Sequence, residues 1–323
     1  MGNYYIRRIL QAVPVLIGIS IIVFIMVNLQ PGDPYAAMVD PEAPPEVKED
    51  LLRRVGYYDP LWLKYLKWAG QAFRGNMGYS IHYRAPVTGI IASRIGNTLT
   101  LTLTALVISI LFGLPIGIMT ATRRYGIGDY LATVAAFVGL SIPAFFFGML
   151  LIKFFGVDLR WLPVAGKISV GAGYTGFAYF FDVLRHLIMP AIVLGMMNTA
   201  SLMRYMRSSM VDILSQDYIR TARAKGVPRT AVILKHAMKN ALKPVITILT
   251  MQIPALLSGA LLTETVFSWP GIGRLNYEAV QNRDYPLIMG IVMMVAVVTL
   301  LANLLADILY VVVDPRIQYG SRS

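Results

Sequence analysis

The sequence predicts an all-α, polytopic membrane protein with six transmembrane helices, on three observations. Hydrophobic residues make up 56% of the 323 residues and charged residues 14%, against roughly 25% charged in soluble domains. The mean hydropathy is +0.61. Apolar runs of about 20 residues, the length that crosses a bilayer as a helix, recur six times along the chain.

The first run covers Ile9 to Leu29. It exceeds the apolar core of a secretion signal, and Gln30-Pro31-Gly32-Asp33-Pro34 after it offers no small-residue cleavage pattern, so it reads as an uncleaved anchor. The second covers Thr98 to Thr120 and the third Tyr130 to Phe155. The fourth, His186 to Leu202, is diluted by Asn198 and Thr199. The fifth covers Pro244 to Leu262 and the sixth Pro286 to Val313. The predicted organisation is therefore an N-terminal region with the first span (1–30), an extracellular segment (31–97), a core holding spans two to six (98–313) with a loop at 204–243, and a cytoplasmic tail (314–323).

Orientation follows from bases in short loops, which favour the cytoplasmic side. Arg7 and Arg8 precede span one, Arg123 and Arg124 follow span two, and Arg316 and Arg322 follow span six. Between spans four and five stand Arg204, Arg207, Arg220, Arg223, Lys225, Arg229, Lys235, Lys239 and Lys243, against Asp212 and Asp217. All four clusters fall on one side of a six-span topology, with both termini cytoplasmic. This accounts for the net charge of +12 without nucleic acid. The external segment carries a charged helix at Glu46–Arg54 and an aromatic patch of Tyr57, Tyr58, Trp62, Tyr65 and Trp68. It reads equally as a cap on lipid headgroups or as a docking surface for an external partner.

Several chemistries are excluded. There is no cysteine, which removes disulfides, thiol catalysis and cysteine metal sites. His82, His186 and His236 lack ligand spacing, so neither a metal nor a catalytic residue is predicted. Gly166-Lys167 is followed by isoleucine, and Leu257-Ser258-Gly259 lies in a span. Neither is a phosphate-binding loop, so the chain is not expected to hydrolyse nucleotide or to carry a cofactor.

Within the spans, Pro115, Pro143 and Pro254 can kink helices, and Gly113 with Gly117 forms a small-xxx-small pair for close helix contact. Asn303 and Asp307 place two polar groups on one face of span six, toward a pathway or a partner helix. Lys153 can snorkel at a span end.

From Ser208 to Lys225 the residues Val211, Leu214, Tyr218, Ile219 and Ala222 recur at helical spacing, with bases on the other side. Gly226 suits the position just past a helix end, Arg223 and Lys225 suit the last turn, and Pro228 can open the next helix, which carries Val232, Ile233, Leu234 and Ala237. The residues alone fit two readings: a basic amphipathic helix on anionic lipid, or a lever inserted into a cytoplasmic protein.

The run Asp217 to Gly226 resembles the loop of permease subunits of ATP-binding-cassette importers, whose pattern is Glu-Ala-Ala, three residues, then Gly. Aligned on Gly226, this chain has Arg220-Thr221-Ala222, without the acidic first position, as in the peptide and nickel branch. Further segments resemble that branch: Pro31-Gly32-Asp33-Pro34, Gly75-Asn76-Met77-Gly78-Tyr79-Ser80, Asn97-Thr98-Leu99, Leu162-Pro163-Val164, and Arg204-Tyr205-Met206-Arg207-Ser208-Ser209-Met210. So do His236-Ala237-Met238-Lys239-Asn240-Ala241-Leu242, Glu264 through Gly273, Arg283-Asp284-Tyr285-Pro286, Asn303-Leu304-Leu305-Ala306-Asp307 and Asp314-Pro315-Arg316. The resemblance covers nearly the whole chain and is to the B-type permease subunit of dipeptide and oligopeptide importers, of type I architecture.

The resemblance implies a transport subunit of a bacterial or archaeal cytoplasmic membrane, paired with a homologous second permease. Two cytoplasmic ATPases would bind ATP and magnesium, and an extracellular binding protein would deliver peptides. It assigns ATPase coupling to Asp217, Tyr218, Ile219, Arg220, Thr221, Ala222, Arg223, Lys225 and Gly226. Tyr218, Ile219 and Ala222 would give apolar contact to the ATPase. Glu264, Phe267, Trp269, Pro270 and Gly271 are a candidate outer gate or scoop. Nickel chelates, glutathione or oligosaccharides are the alternative cargoes. An ion-coupled secondary transporter would call instead for inverted repeats and midplane ionisable groups, and neither is seen.

Overall fold

The computed structural model describes residues 2–29, 44–54, 56–258 and 260–313. Pro31-Gly32-Asp33-Pro34, Pro41, Asp314-Pro315-Arg316 and Arg322 lie outside the described residues. In chain order the elements are α1 (Gly2–Asn28), α2 (Pro45–Arg54), α3 (Leu61–Phe73), β1 (Tyr79–Ser80), β2 (Ala85–Pro86), α4 (Val87–Thr122), α5 (Ile127–Ser141) and α6 (Ala144–Leu151), which runs on as a π-helical turn, Ile152–Asp158. There follow α7 (Gly176–Leu214), α8 (Asp217–Ala224), the single turn α9 (Arg229–Ala231), a second π-helical turn (Val232–Ala237), α10 (Met238–Ser258), α11 (Leu261–Val266), α12 (Ile272–Gln281) and α13 (Tyr285–Val313). The chain forms two compact units, Met1–Gly96 with Gly271–Leu300, and Asn97–Pro270 with Leu301–Ser323.

In the first unit, Phe24 and Val27 of α1, Val87 and Ile91 of α4, Leu275 of α12 and Leu287 of α13 share one buried cluster. Gly290 permits the close approach of α13 to α4, because a Cβ there would lie 2.4 Å from Val87 Cγ1. The β1–β2 hairpin pairs Tyr79 with Pro86 and Ser80 with Ala85. Asp284, fully buried, caps α13 by accepting from Leu287 N at 3.2 Å, and also accepts from His82 N at 3.1 Å and from Ser80 Oγ. One carboxylate thus satisfies an orphan donor of a helix N-terminus and ties the hairpin to it. The aromatic patch divides. Tyr65 packs edge-on against Phe24 at 5.4 Å and its hydroxyl meets Ser20 Oγ at 2.8 Å, whereas Tyr58 and Trp62 stay exposed. Tyr83 donates to Glu278 at 2.5 Å, and Arg274 Nε donates to the same carboxylate at 2.8 Å.

In the second unit, α4 packs directly on α7. A Cβ on Gly113 would lie 3.1 Å from Leu202 Cβ, and one on Gly117 only 2.7 Å from Met206 Cβ and 2.8 Å from the Met203 carbonyl, as the small-residue pair predicts. Asp129 at the start of α5 is buried and accepts from Arg207 Nε at 3.0 Å, Arg207 Nη2 at 2.9 Å and Tyr125 N at 3.0 Å, a bidentate pairing that fixes α5 to α7.

Among the described residues, four helices are long and apolar enough to cross a membrane: Leu10–Asn28, Val87–Thr122, Gly176–Leu214 and Tyr285–Ile308. The pair Ile127–Ser141 and Ala144–Asp158 makes a fifth if counted as one span, but it is bent by 101°. The predicted third span is thus two arms broken at Ile142-Pro143, at the proline expected to kink it, where proline restricts the residue before it to extended geometry. The predicted fifth span falls on α10 and α11, with Gly259 between them outside the described residues. The second span starts eleven residues earlier than Thr98, at Val87. The fourth is a 39-residue helix, about 58 Å long at 1.5 Å per residue and well beyond the roughly 30 Å hydrocarbon core. Polar Asn198, Arg204 and Arg207 therefore do not end it.

Candidate functional site: the helical joint between α7 and α10

The amphipathic stretch predicted as one helix from Ser208 to Lys225 is two. Helix α7 ends at Leu214, Ser215 Oγ turns back to the Asp212 carbonyl at 2.7 Å, and Gln216 is extended. A serine hydroxyl that bonds nearby backbone competes with helix continuation, and α8 restarts at Asp217 with an acid in its first turn.

The C-terminus of α8 closes as a Schellman motif. Val227 N donates to the Ala222 carbonyl at 3.2 Å and Gly226 N to the Arg223 carbonyl at 3.0 Å. Gly226 has φ of +75°, a conformation that glycine adopts without Cβ strain. Pro228, extended, then caps the turn α9. The chain reverses within a few residues and enters α10 through the π-turn Val232–Ala237, where an i→i+5 ladder displaces the register of the helix.

The joint is held from within. Ile219 is 0% exposed and shares a core with Met206, Met210, Val232, Ala237 and Ala241. Ala222 and Val227 pack at its edge, supplying the hydrophobic contact that accompanies a Schellman end. Ser209 Oγ donates to the Ala241 carbonyl at 2.8 Å, Asn240 Nδ2 to Tyr218 Oη at 3.2 Å, and Arg229 Nη2 to the Thr122 carbonyl at 3.1 Å. Two of these three hydrogen bonds tie α8 and the turn after it to α10 and α4, and the third ties α7 to α10.

The residues that the resemblance assigns to ATPase coupling divide by face. Asp217, Tyr218, Arg220, Thr221, Arg223, Lys225 and Gly226 are exposed, with Tyr218 at 43%. Ile219 points inward and Ala222 is half-buried. The apolar contact foreseen for Ile219 is therefore internal: it ties α8 to its own chain, and Tyr218 is the large exposed ring on the helix. Arg223, Arg229 and Arg124 line a cleft of about 600 Å³ beside the turn, floored by Leu214 and Val227, so its walls are basic.

The candidate gate segment is also inward. Glu264 and Trp269 are 0% exposed and Phe267 is buried against Met189, Val193 and Gly148. Trp269 Nε1 donates to the Asn97 carbonyl at 3.0 Å, Asn97 Nδ2 to the Pro270 carbonyl at 2.8 Å, and Thr98 Oγ1 to Glu264 at 2.7 Å. Lys167 Nζ reaches Asn97 Oδ1 at 2.8 Å, and Gly166 N donates to the Phe267 carbonyl at 2.8 Å. Pro270 is half-buried in the same turn, and Gly271 immediately precedes α12. Phe267 and Trp269 are thus anchors of a knot that joins α4, α11 with the turn after it, and the loop at Gly166-Lys167, rather than a projecting aromatic pair. Asn303 is exposed and Asp307 half-buried on α13. Lys153 is paired with Asp158 at 2.7 Å.

Sequence reading missed Asp129 as the partner of Arg207. Arg207 lay in a quoted motif, but an acid 78 positions away carries no periodic signal. It also missed Asp182, buried, which accepts from Ser169 N and Oγ, both at 2.7 Å. An acid inside an apolar helix was the available cue.

Comparison with known proteins agrees along the whole chain. The family described as "Binding-protein-dependent transport system inner membrane component" matches residues 113–319, and its N-terminal component matches residues 1–102. The chain is 42% identical to the oligopeptide transport system permease protein AppB of Bacillus subtilis (strain 168), over 99% of this chain and 100% of that protein. It is 40% identical to the dipeptide transport system permease protein DppB of Escherichia coli (strain K12), over 99% of each. It is also 40% identical to the glutathione transport system permease protein GsiC of Escherichia coli O6:H1, over 99% of this chain and 100% of that protein. This chain belongs to the family of binding-protein-dependent transport system inner membrane components, the multi-pass permease subunits of ATP-binding-cassette importers, and is a transport component rather than an enzyme.

Proposed function

We propose that this chain forms, with a homologous second permease, the path by which an ATP-driven importer takes up peptides delivered by an extracellular binding protein. The observation that carries this reading is full-length similarity, at 40–42% identity, to permeases named for oligopeptide and dipeptide transport. Both termini and the α8 joint face the cytoplasm of a bacterial or archaeal cell, in keeping with the short-loop bases. There two ATPase subunits, which bind ATP and magnesium, receive the exposed face of α8: Asp217, Tyr218, Arg220, Thr221, Arg223 and Lys225. Ile219 and Ala222, on the inner face, and Gly226, at the stop, pass ATPase closure to α7 and α10. Glu264, Phe267, Trp269, Pro270 and Gly271 serve the outer gate as its anchored base.

The test is uptake by the complete transporter in proteoliposomes with its binding protein, supplied in parallel with labelled di- and oligopeptides, glutathione and a nickel chelate. Peptide uptake that depends on ATP is expected. Glutathione uptake alone would favour the second reading, which rests on the similarity to the glutathione permease. Gly226→Glu forces a side chain onto φ of +75° while meeting nothing within 4 Å. ATPase activity without uptake is expected, and normal uptake would reject the coupling role.

A further inference from the structure

A cleft of about 310 Å³ between α5 and α7 is lined by Arg124, Arg204 and Arg207, together with Thr133, Phe137 and Ser208. Asp129 holds Arg207 through both carboxylate oxygens, so that pair is neutral. Arg124 and Arg204 are exposed, and among the described residues neither has a salt-bridge partner. No aspartate or glutamate lines the cleft. Two uncompensated guanidiniums on one cleft repel each other, and each offers a planar fork of donors suited to a phosphate or carboxylate. The lining therefore calls for an anion.

Its surroundings decide which anion. Arg204 follows directly on the apolar run that ends at Leu202, and Arg124 follows the end of α4 at Thr122. Both bases thus stand where apolar helices give way to a basic segment, the level at which pockets between membrane helices take up anionic headgroups. Beside them, Phe137 is 58% exposed, and Tyr130, Leu131, Val134 and Val138 continue α5 as an exposed apolar surface. No residue of α8 lines the cleft, which separates it from the face proposed for the ATPases. A peptide carboxylate or an acidic side chain of an ATPase shares the charge, but neither uses the apolar surface of α5.

We propose that this cleft binds an anionic phospholipid. Arg124 and Arg204 donate to oxygens of the headgroup phosphodiester, Ser208 Oγ adds a hydroxyl donor, and an acyl chain lies along Phe137 and the exposed face of α5. The two free positive charges select a headgroup of net negative charge over a zwitterionic one. Bound lipid then braces α5 against α7 alongside the Asp129–Arg207 pair, whichever cargo the transporter carries.

The experiment uses the assembled transporter, stripped of lipid in detergent and titrated with phosphatidylglycerol or phosphatidylcholine, alone or against glycerol 3-phosphate or a dipeptide. Bound lipid is read by native mass spectrometry and stability by thermal unfolding. Phosphatidylglycerol should be retained in preference to phosphatidylcholine and should raise the unfolding midpoint. Arg124→Gln and Arg204→Gln should each weaken its retention about tenfold and narrow the preference, with no change in the midpoint without lipid, because neither arginine has a salt-bridge partner to lose. Lys235→Gln, which removes an exposed base of the joint outside the cleft, should retain lipid as the wild type does. Wild-type retention by the Arg124→Gln, Arg204→Gln double variant overturns the proposal, as does an equal loss in Lys235→Gln or equal retention of the two lipids. Displacement of the lipid by glycerol 3-phosphate or by the dipeptide overturns it in favour of a soluble anion or the cargo. Retention by the permease pair alone, but not by the assembled transporter, overturns it in favour of an acidic segment of an ATPase.

Discussion

Replacing Ile219 by alanine should detach α8 from the joint while the rest of the chain stays folded. Ile219 is completely buried, and the substitution removes three carbons, worth about 0.8 kcal/mol each in transfer. With the cavity left behind, the loss is about 3–4 kcal/mol. What else holds α8 is slight: the half-buried Ala222 and Val227, and one exposed hydrogen bond from Asn240 to Tyr218, worth about 1 kcal/mol or less. The loss therefore rivals the whole docking free energy of this eight-residue helix, which is too short to persist alone. Met206, Met210, Val232 and Ala241 still pack together beneath it. Hydrogen exchange on the assembled transporter should show protection of the amides at 222–227 reduced about 100- to 1000-fold, since 1.4 kcal/mol is a factor of ten. Uptake per ATP hydrolysed should fall in parallel. Ile219→Val, at about 0.5–1.5 kcal/mol, should give at most a tenfold change. Wild-type exchange in this segment together with unchanged uptake per ATP in Ile219→Ala would refute the assignment of Ile219 as the internal tie of the joint.

Gly117→Ala should destabilise the transporter by about 1–3 kcal/mol through overpacking, because the new Cβ would meet the immovable Met203 carbonyl at 2.8 Å. Gly113→Ala, with its nearest backbone atom at 3.2 Å, should cost less, and the reverse order of thermal midpoints would contradict the α4–α7 packing. The Tyr83–Glu278 pair sets a pH window. Burial together with the Glu278 hydrogen bond and charge pushes the Tyr83 hydroxyl up to about 12. Burial alone would raise Glu278, but the hydrogen bonds from Tyr83 and Arg274 outweigh it and hold the carboxyl below its ordinary range. Folding then binds fewer protons than unfolding just below pH 4.5, and more between pH 10 and 12. The Glu278 contribution is present above about 4.5 and lost on further acidification, and the Tyr83 contribution is lost as pH rises from 10. Tyr83→Phe should flatten the acid limb of midpoint against pH, and an unchanged limb would show that Arg274 alone holds Glu278.

Legibility followed the range of the interaction. The helix stop at Gly226 was readable because backbone geometry at φ of +75° is a local demand met by one residue type. The small pair Gly113 and Gly117 was readable because its spacing puts both on one face. Ile219 shows the limit: its place on the apolar stripe was plain, but the stripe does not say whether it is covered by a partner or by the same chain. The break at Ser215-Gln216 escaped notice because helical periodicity runs straight across it.

By itself, the sequence determined that the chain is helical and membrane-embedded, that Gly226 ends one helix, and that a basic joint precedes α10. These properties reside in hydropathy, period and single-residue backbone preference, each set within a few residues. Only the tertiary structure decided that Ile219 faces inward, that Asp129 meets Arg207, and that Asn97, Thr98, Lys167, Glu264 and Trp269 form one knot. Those outcomes depend on loop closures across tens to more than a hundred residues. There a hydrogen bond gains its strength from burial shared with its partner, which no stretch of sequence carries alone.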